Sequence, residues 1–232
     1  MKKLVYTIVA FVLVASTSIK ASAQSEESRS VSGFNGVGSA GPFDVHVKID
    51  GTESLKIKAS QEAIKEIETY VKDGKLQIKF KHRDYSNEQD FGRIDIYVSA
   101  KSLSSIANAG SGSIKVEGTV TGDVNVALSG SGNISTSVKA GLFHVAISGS
   151  GSVELSGSAN ETKISIAGSG DMNGKRFKTG EANVTIAGSG NASFGADKNI
   201  SANIVGSGNV NYTGNATVSS RTIGSGRVSK TN

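Results

Sequence analysis

The stretch Ile164-Ser165-Ile166-Ala167-Gly168-Ser169-Gly170-Asp171-Met172 alternates apolar with small or polar residues on both sides of a Gly-Ser-Gly triplet. Alternation of period two marks a strand with one buried face, and a glycine pair inside it marks a corner. The pattern recurs. Gly-Ser-Gly begins at Gly110, Gly130, Gly149, Gly168, Gly188, Gly206 and Gly224, at intervals of 20, 19, 19, 20, 18 and 18 residues. Four residues before the first six triplets stand Ile106, Val126, Val145, Ile164, Val184 and Ala202; two before the second to sixth stand Leu128, Ile147, Ile166, Ile186 and Ile204. Two residues after the triplets come Ile114, Ile134, Val153, Met172, Ala192, Val210 and Val228.

One such unit cannot bury its apolar edge alone. Stacked units can, because each inward row then packs on the same row of the next coil. The spacing predicts an all-β protein, a parallel β-helix or β-solenoid of about 19-residue coils with Gly-Ser-Gly corners. At the strand separation of about 4.8 Å, seven coils make a rod of roughly 33 Å. The third glycine of a triplet, Gly132 or Gly151, is expected to take the positive φ that a corner without a Cβ permits.

Residues 1–23 read as a secretory signal. Lys2 and Lys3 precede the apolar run from Leu4 to Ala15, and Ala21-Ser22-Ala23 gives a small-residue cleavage site. The apolar run is too short for a membrane helix, so no membrane span is expected in the mature chain. Localisation is expected to be exported: periplasm, outer-membrane-associated or extracellular. Removing Lys2, Lys3 and Lys20 leaves 22 basic and 20 acidic residues, without the clustered Lys and Arg of a nucleic-acid footprint. No nucleic acid partner is expected. The chain has no cysteine, which excludes disulfides and thiolate chemistry. Mass analysis of secreted material is expected to place the mature N-terminus at Gln24; a species retaining Lys2 and Lys3 would contradict it.

Residues 24–105 lack the triplet, and residues 106–232 carry it. Alternating strands are predicted at 43–49, 55–57, 76–80 and 94–98. Between them, Ile64, Ile67 and Val71 share one face at helical spacing, predicting one short helix over 61–71 that ends at Asp73-Gly74. This part reads as opening coils and cap of the solenoid, with a separate small α+β domain as the alternative.

Gly41-Pro42-Phe43-Asp44-Val45-His46-Val47, Val71-Lys72-Asp73-Gly74-Lys75-Leu76-Gln77-Ile78, the recurring triplets and Gly206-Ser207-Gly208-Asn209-Val210-Asn211-Tyr212-Thr213-Gly214-Asn215 resemble the head GIN domain family, named for autotransporter adhesins. The resemblance runs from about Phe34 to the C-terminus. It implies a parallel β-solenoid at the envelope or surface of a Bacteroidetes-like bacterium and no defined activity.

Candidate chemistry is thin. Gly36-Val37-Gly38-Ser39-Ala40-Gly41 fits a dinucleotide fingerprint, but Pro42 and an alternating strand follow where a helix is required. The residues after the triplets are Ser113, Asn133, Ser152, Asp171, Asn191, Asn209 and Arg227, turn formers rather than calcium ligands. The acids Glu117, Asp123, Glu154, Glu161, Asp171, Glu181 and Asp197 fall at differing points of the repeat and are expected to form no column. The histidines His46, His82 and His144 are far apart. No catalytic residue, cofactor or metal is expected. A polysaccharide-acting β-helix enzyme remains the rival class, and a periplasmic structural or stress-related protein another.

An exported binding or scaffolding module is the expected function. Three residues before the triplets run Ala127, Ala146, Ser165 and Thr185; five before run Asn125, His144, Lys163 and Asn183. Alternation turns both rows outward on one flat face. It is the candidate contact surface for a protein or glycan surface, or for self-association.

Overall fold

The computed structural model describes residues 24–81 and 91–231; the expected signal segment, residues 1–23, and His82 lie outside them. The N-terminal elements are β1 (Ser25–Arg29), β2 (Gly36–Ala40), β3 (Asp44–Ile49), β4 (Ser54–Ala59), α1 (Gln61–Glu66), β5 (Ile67–Lys72), β6 (Lys75–Phe80), β7 (Asp95–Ala100) and β8 (Ser105–Gly110). Five long bent strands follow: β9 (Ser113–Gly130), β10 (Asn133–Gly149), β11 (Ser152–Gly168), β12 (Asp171–Gly188) and β13 (Asn191–Gly206). β14 (Asn209–Thr213), β15 (Thr217–Gly224) and β16 (Arg227–Lys230) complete the chain. The fold is the expected parallel β-solenoid with one short helix among the described residues.

Each long strand is one coil with two segments, and the segments build two ladders. The segments after the triplets stack in parallel through β3 and β9 to β13, then β14 and β16. The segments before the next triplet stack through β2, β8 and β9 to β13, then β15. The register is residue for residue near the triplet, as in Val126↔Val145↔Ile164↔Val184↔Ala202. Irregularities fall at the opposite corner, where β9–β10 and β12–β13 slip by one to three residues. The interior between the ladders is one hydrophobic cluster in which Phe43, Phe143, Phe177 and Ile106 are fully buried. Stacking like on like removes these side chains from water, each contributing about 1.5–3 kcal/mol.

The N-terminal part closes one end. β2 and β3 pair in parallel with β8 and β9, so both ladders run on into residues 36–49. β4 lies antiparallel on β7 and carries β1 antiparallel at its outer edge, and β5 lies antiparallel on β6, which ends parallel growth of both ladders. α1 joins β4 to β5 with Ala63 and Ile64 buried. Arg29 ties β1 to this cap, donating to the Ile64 and Ile67 carbonyls at 3.0 and 2.8 Å.

Two details correct the sequence reading. The helix stops at Glu66, and residues 67–72 are a strand. Ile67, Thr69, Tyr70 and Val71 favour a pleated surface, and Asp73 and Gly74, with φ of 51° and 69°, form the hairpin turn to β6. The second correction lies at the corners. Positive φ belongs to the first glycine of each triplet, +118° at Gly149, and not to Gly132 or Gly151. The third glycine is needed for a different reason. Ser150 N–H and Gly151 N–H both donate to the Gly130 carbonyl at 3.0 Å, and Ser152 N–H to the Gly132 carbonyl at 3.1 Å. Corner peptides are thereby stacked so closely that a Cβ on Gly151 would collide with the Gly132 carbonyl oxygen and lie 2.7 Å from Leu128 Cδ2.

Candidate functional site

The ladder before the triplets presents the candidate face. Asn125, His144, Lys163 and Asn183 are paired along one row, and Ala127, Ala146, Ser165 and Thr185 along the next. Both rows point out of the core; His144 is half-buried and the other seven are exposed. The eight residues are thus brought together on one surface by parallel register alone.

Sequence reasoning missed a third row beside them. The residue just before each triplet also faces outward, giving Ala109, Ser129, Ser148, Ala167, Ala187, Val205 and Ile223 in register. The alternation that placed the other two rows also specified this one. Val205 and Ile223 are 49% and 56% exposed, unusual for such side chains. Between this row and the Ala127–Thr185 row runs a shallow groove of about 550 Å3, walled by Ala107, Ala127, Ser129, Ala146, Ser148 and Ala167 among others. It crosses the strands along the solenoid axis. Small side chains at every step make the floor flat, and no charged residue lines it.

Charge gathers at the far edge of the same ladder. Glu161 and Glu181 stand opposite each other on β11 and β12, and Asp123 falls at the same count two coils before Glu161 with Leu142 between, so three of the seven acids do share a column, contrary to the sequence expectation. Parallel register aligns residues counted back from the next triplet, and both glutamates lie seven residues before theirs. Lys163 Nζ is 3.9 Å from Glu161 Oε1, and Asn183 Nδ2 donates to that oxygen at 3.5 Å. Both glutamates are on the surface, so they are carboxylates among solvated partners rather than an enclosed acid–base pair.

The ladder after the triplets is polar. Asn191 donates to Asp171 Oδ1 through its side chain at 2.8 Å and its backbone at 3.0 Å, and Asn209 repeats both bonds to Asn191 Oδ1. These residues form a hydrogen-bonded ladder between coils, not a set of isolated turn formers. No group of three His, Asp or Glu side chains with metal-binding geometry occurs among the described residues. None of their helices is long and apolar enough to cross a membrane. Gly36 to Ala40, the dinucleotide-like string, is strand β2 and not a loop before a helix.

A family model described as "Putative auto-transporter adhesin, head GIN domain" matches residues 33–216. Among solved structures, one described as a "putative adhesin" from Bacteroides fragilis is 22% identical, with a TM-score of 0.81 over 90% of this chain and 97% of that one. A "putative adhesin" from Parabacteroides distasonis is 26% identical, with a TM-score of 0.70 and coverage of 90% and 97%. A "putative lipid binding protein" from the same organism is 21% identical, with a TM-score of 0.71 and the same coverage. What these proteins share with the chain is the fold. No curated protein matches the sequence.

Proposed function

The chain belongs to the head GIN domain family, and from that premise we propose that it is an exported, non-catalytic binding module that meets its partner with the flat face before the triplets. The observation that carries the reading is the unbroken register of three outward rows, two of them built almost wholly from Ala, Ser and Thr. A soluble protein ordinarily breaks up such a surface with charge. Here the middle row is uncharged from Ala107 through Asn203, and Arg221 closes it in the last coil.

The size of the face fits a specific contact. Seven coils at about 4.8 Å, each offering about 20 Å of strand, present roughly 650 Å2, close to the ~800 Å2 per partner of a standard interface. Stacked coils hold that area rigid, so little ordering entropy opposes binding. The partner surface is a protein or glycan layer, or a second copy. The compartment is the periplasm, the outer membrane or the exterior.

The test is the double variant Ala146→Glu with Ser165→Arg. Both side chains point outward, so the melting temperature should stay within about 2 °C of wild type, as for surface substitutions generally. Burying either charge in a contact should weaken it by about tenfold or more. The readouts are sedimentation of the purified protein and retention of labelled protein on fixed cells of the producing bacterium. Unchanged association in both would show that the face is not the site.

A further inference from the structure

The other ladder carries a feature of a different kind at its N-terminal end. On β7 and β3, which pair in parallel with Tyr97 opposite His46, the two rings stack at 5.0 Å between centroids and 18° between planes. Tyr97 is 44% exposed and is the one aromatic side chain among the large exposed apolar residues described. The stack is held from beneath. His46 Nε2 is 3.2 Å from Asp95 Oδ1, and that carboxylate is buried to 8% exposure under Arg93, whose Nε and Nη2 donate to the same oxygen at 3.1 and 2.9 Å. Asp44, beside Asp95 in register, accepts a 2.6 Å hydrogen bond from Ser113. A buried carboxylate whose Oδ1 holds both an arginine and an imidazole, with that imidazole against an exposed phenol, is a prepared surface, not a chance exposure.

The rings sit in a hollow of about 350 Å3 whose rim is polar: Ser54, Ser99, Lys48, Lys56 and Glu117. That volume is at the lower end for small-ligand sites. A pyranose ring matches both parts of it. Its C–H face carries weakly positive hydrogens that suit the negative face of an aromatic ring, and its hydroxyls pair with the serines, lysines and glutamate of the rim. An aliphatic chain would leave that rim desolvated and unpaired, which costs free energy for each group. Charge narrows the class. Along one row the side chains run Lys56, Tyr97, His46, Lys115, so ammonium groups bracket the rings. Lys56 is paired with Glu26 at 3.2 Å and Lys48 stands opposite Glu117 in register, so among the described residues Lys115 beside His46 is the cation of this row without such a carboxylate opposite it.

We propose that Tyr97 and His46 form a saccharide-binding platform that takes a pyranose bearing an acidic substituent, a carboxylate or a sulfate. The site is on the ladder opposite the flat face and does not depend on the role of that face.

The experiment is calorimetric titration of the purified protein with trigalacturonate, a heparin-derived tetrasaccharide and maltotriose. At least one acidic probe is expected to bind, with a Kd in the millimolar range or tighter, and maltotriose about tenfold more weakly or not at all. Tyr97→Ala preserves every charge and should weaken the acidic probe by about tenfold or more, whereas Tyr97→Phe keeps the ring and should stay within about twofold. Lys48→Gln with Lys115→Gln should weaken it several-fold and flatten its salt dependence. Trigalacturonate carries carboxylates alone and the heparin fragment both groups, so binding of the heparin fragment only would assign the site to sulfate. No binding of either acidic probe, equal binding of maltotriose, or wild-type affinity in a folded Tyr97→Ala protein would each overturn the proposal.

Discussion

Gly151→Ala is expected to destabilise the protein by about 3 kcal/mol, the upper end for overpacking, although alanine adds one methyl group and the backbone at Gly151 needs no positive φ. The cause is the stack of corners. The Gly130 carbonyl accepts from both Ser150 and Gly151, which pulls the corner onto the one before it, and the added Cβ would run into the Gly132 carbonyl. Backbone cannot swing aside as a flexible side chain can. Relief requires lifting one coil from the next, which loosens the whole Ile134–Val153–Met172 column. Gly122→Ala is the control. Gly122 has a φ of +93°, but a Cβ there meets nothing within 4 Å, so only backbone strain of about 1 kcal/mol applies. Thermal melts of the two variants should differ by about 4 °C or more. Equal melting of Gly151→Ala and wild type would show that the corners are not packed in contact. A solenoid's stability sums over neighbouring coils, so the damage should also appear as a broadened or split transition.

The features legible in the sequence are those that repeat at a fixed distance from the triplet. Val145, Ile147 and Val153 are buried where alternation puts them, and Asn125, Ala146 and Lys163 point outward for the same reason. Near the corner, parallel register copies each residue's setting onto its neighbour. Legibility fails where the constraint is not periodic. Ile64, Ile67 and Val71 satisfy a helical spacing, but the Asp73-Gly74 turn commits residues 67–72 to a hairpin, and the long-range pairing with β6 overrides the local pattern. The role of Gly151 was hidden for a similar reason. A glycine required by φ and a glycine required by close approach look alike in sequence, and only the stacked carbonyl separates them.

The candidate sites differ in the same way. The flat face was readable because its rows are periodic, and its overlooked third row from Ala109 to Ile223 obeys the same count. The Tyr97–His46 platform was not. Its parts come from β3, from β7 and the segment just before it, and from β9, at positions 46, 93, 95, 97 and 115, without any motif that joins them. What joins them is the order of strands: β7, though later in sequence, lies beside β3 on the side away from β9. Net charge was no guide either, since the lysines of the hollow are offset by acids elsewhere in the sequence.

Phe143→Ala is expected to cost about 3–5 kcal/mol, the range for emptying a fully buried aromatic site. Phe143 on β10 and Phe177 on β12 are two coils apart, yet their ring centroids are 5.4 Å from each other at an interplanar angle of 57°. They can meet because the coil between them is small where they lean over it. β11 places Gly157 between Val138 and Phe177, and Thr162 between Phe143 and Ala182. The two rings thus fill, from above and below, the volume that β11 leaves empty. Truncation of one ring cannot be healed by collapse, because the coils are held at strand spacing by their backbone hydrogen bonds. The cavity would open beside Thr162, whose hydroxyl donates to Thr179 Oγ1 at 2.9 Å while Thr179 donates to the Glu181 carbonyl. Water entering there would find polar partners and could recover part of the loss, which favours the lower end of the range. Phe143→Leu keeps most of the volume and should cost only about 1–2 kcal/mol. In the Phe143→Ala, Phe177→Ala double variant the costs should fall short of additive by about 0.5–1.5 kcal/mol, because the second truncation no longer breaks a ring contact. Urea unfolding of the wild type, the two Phe143 variants, Phe177→Ala and the double variant measures all three quantities. A Phe143→Ala cost below about 1 kcal/mol would mean that the coils can close on the gap, and that complementarity across β11 does not fix their spacing.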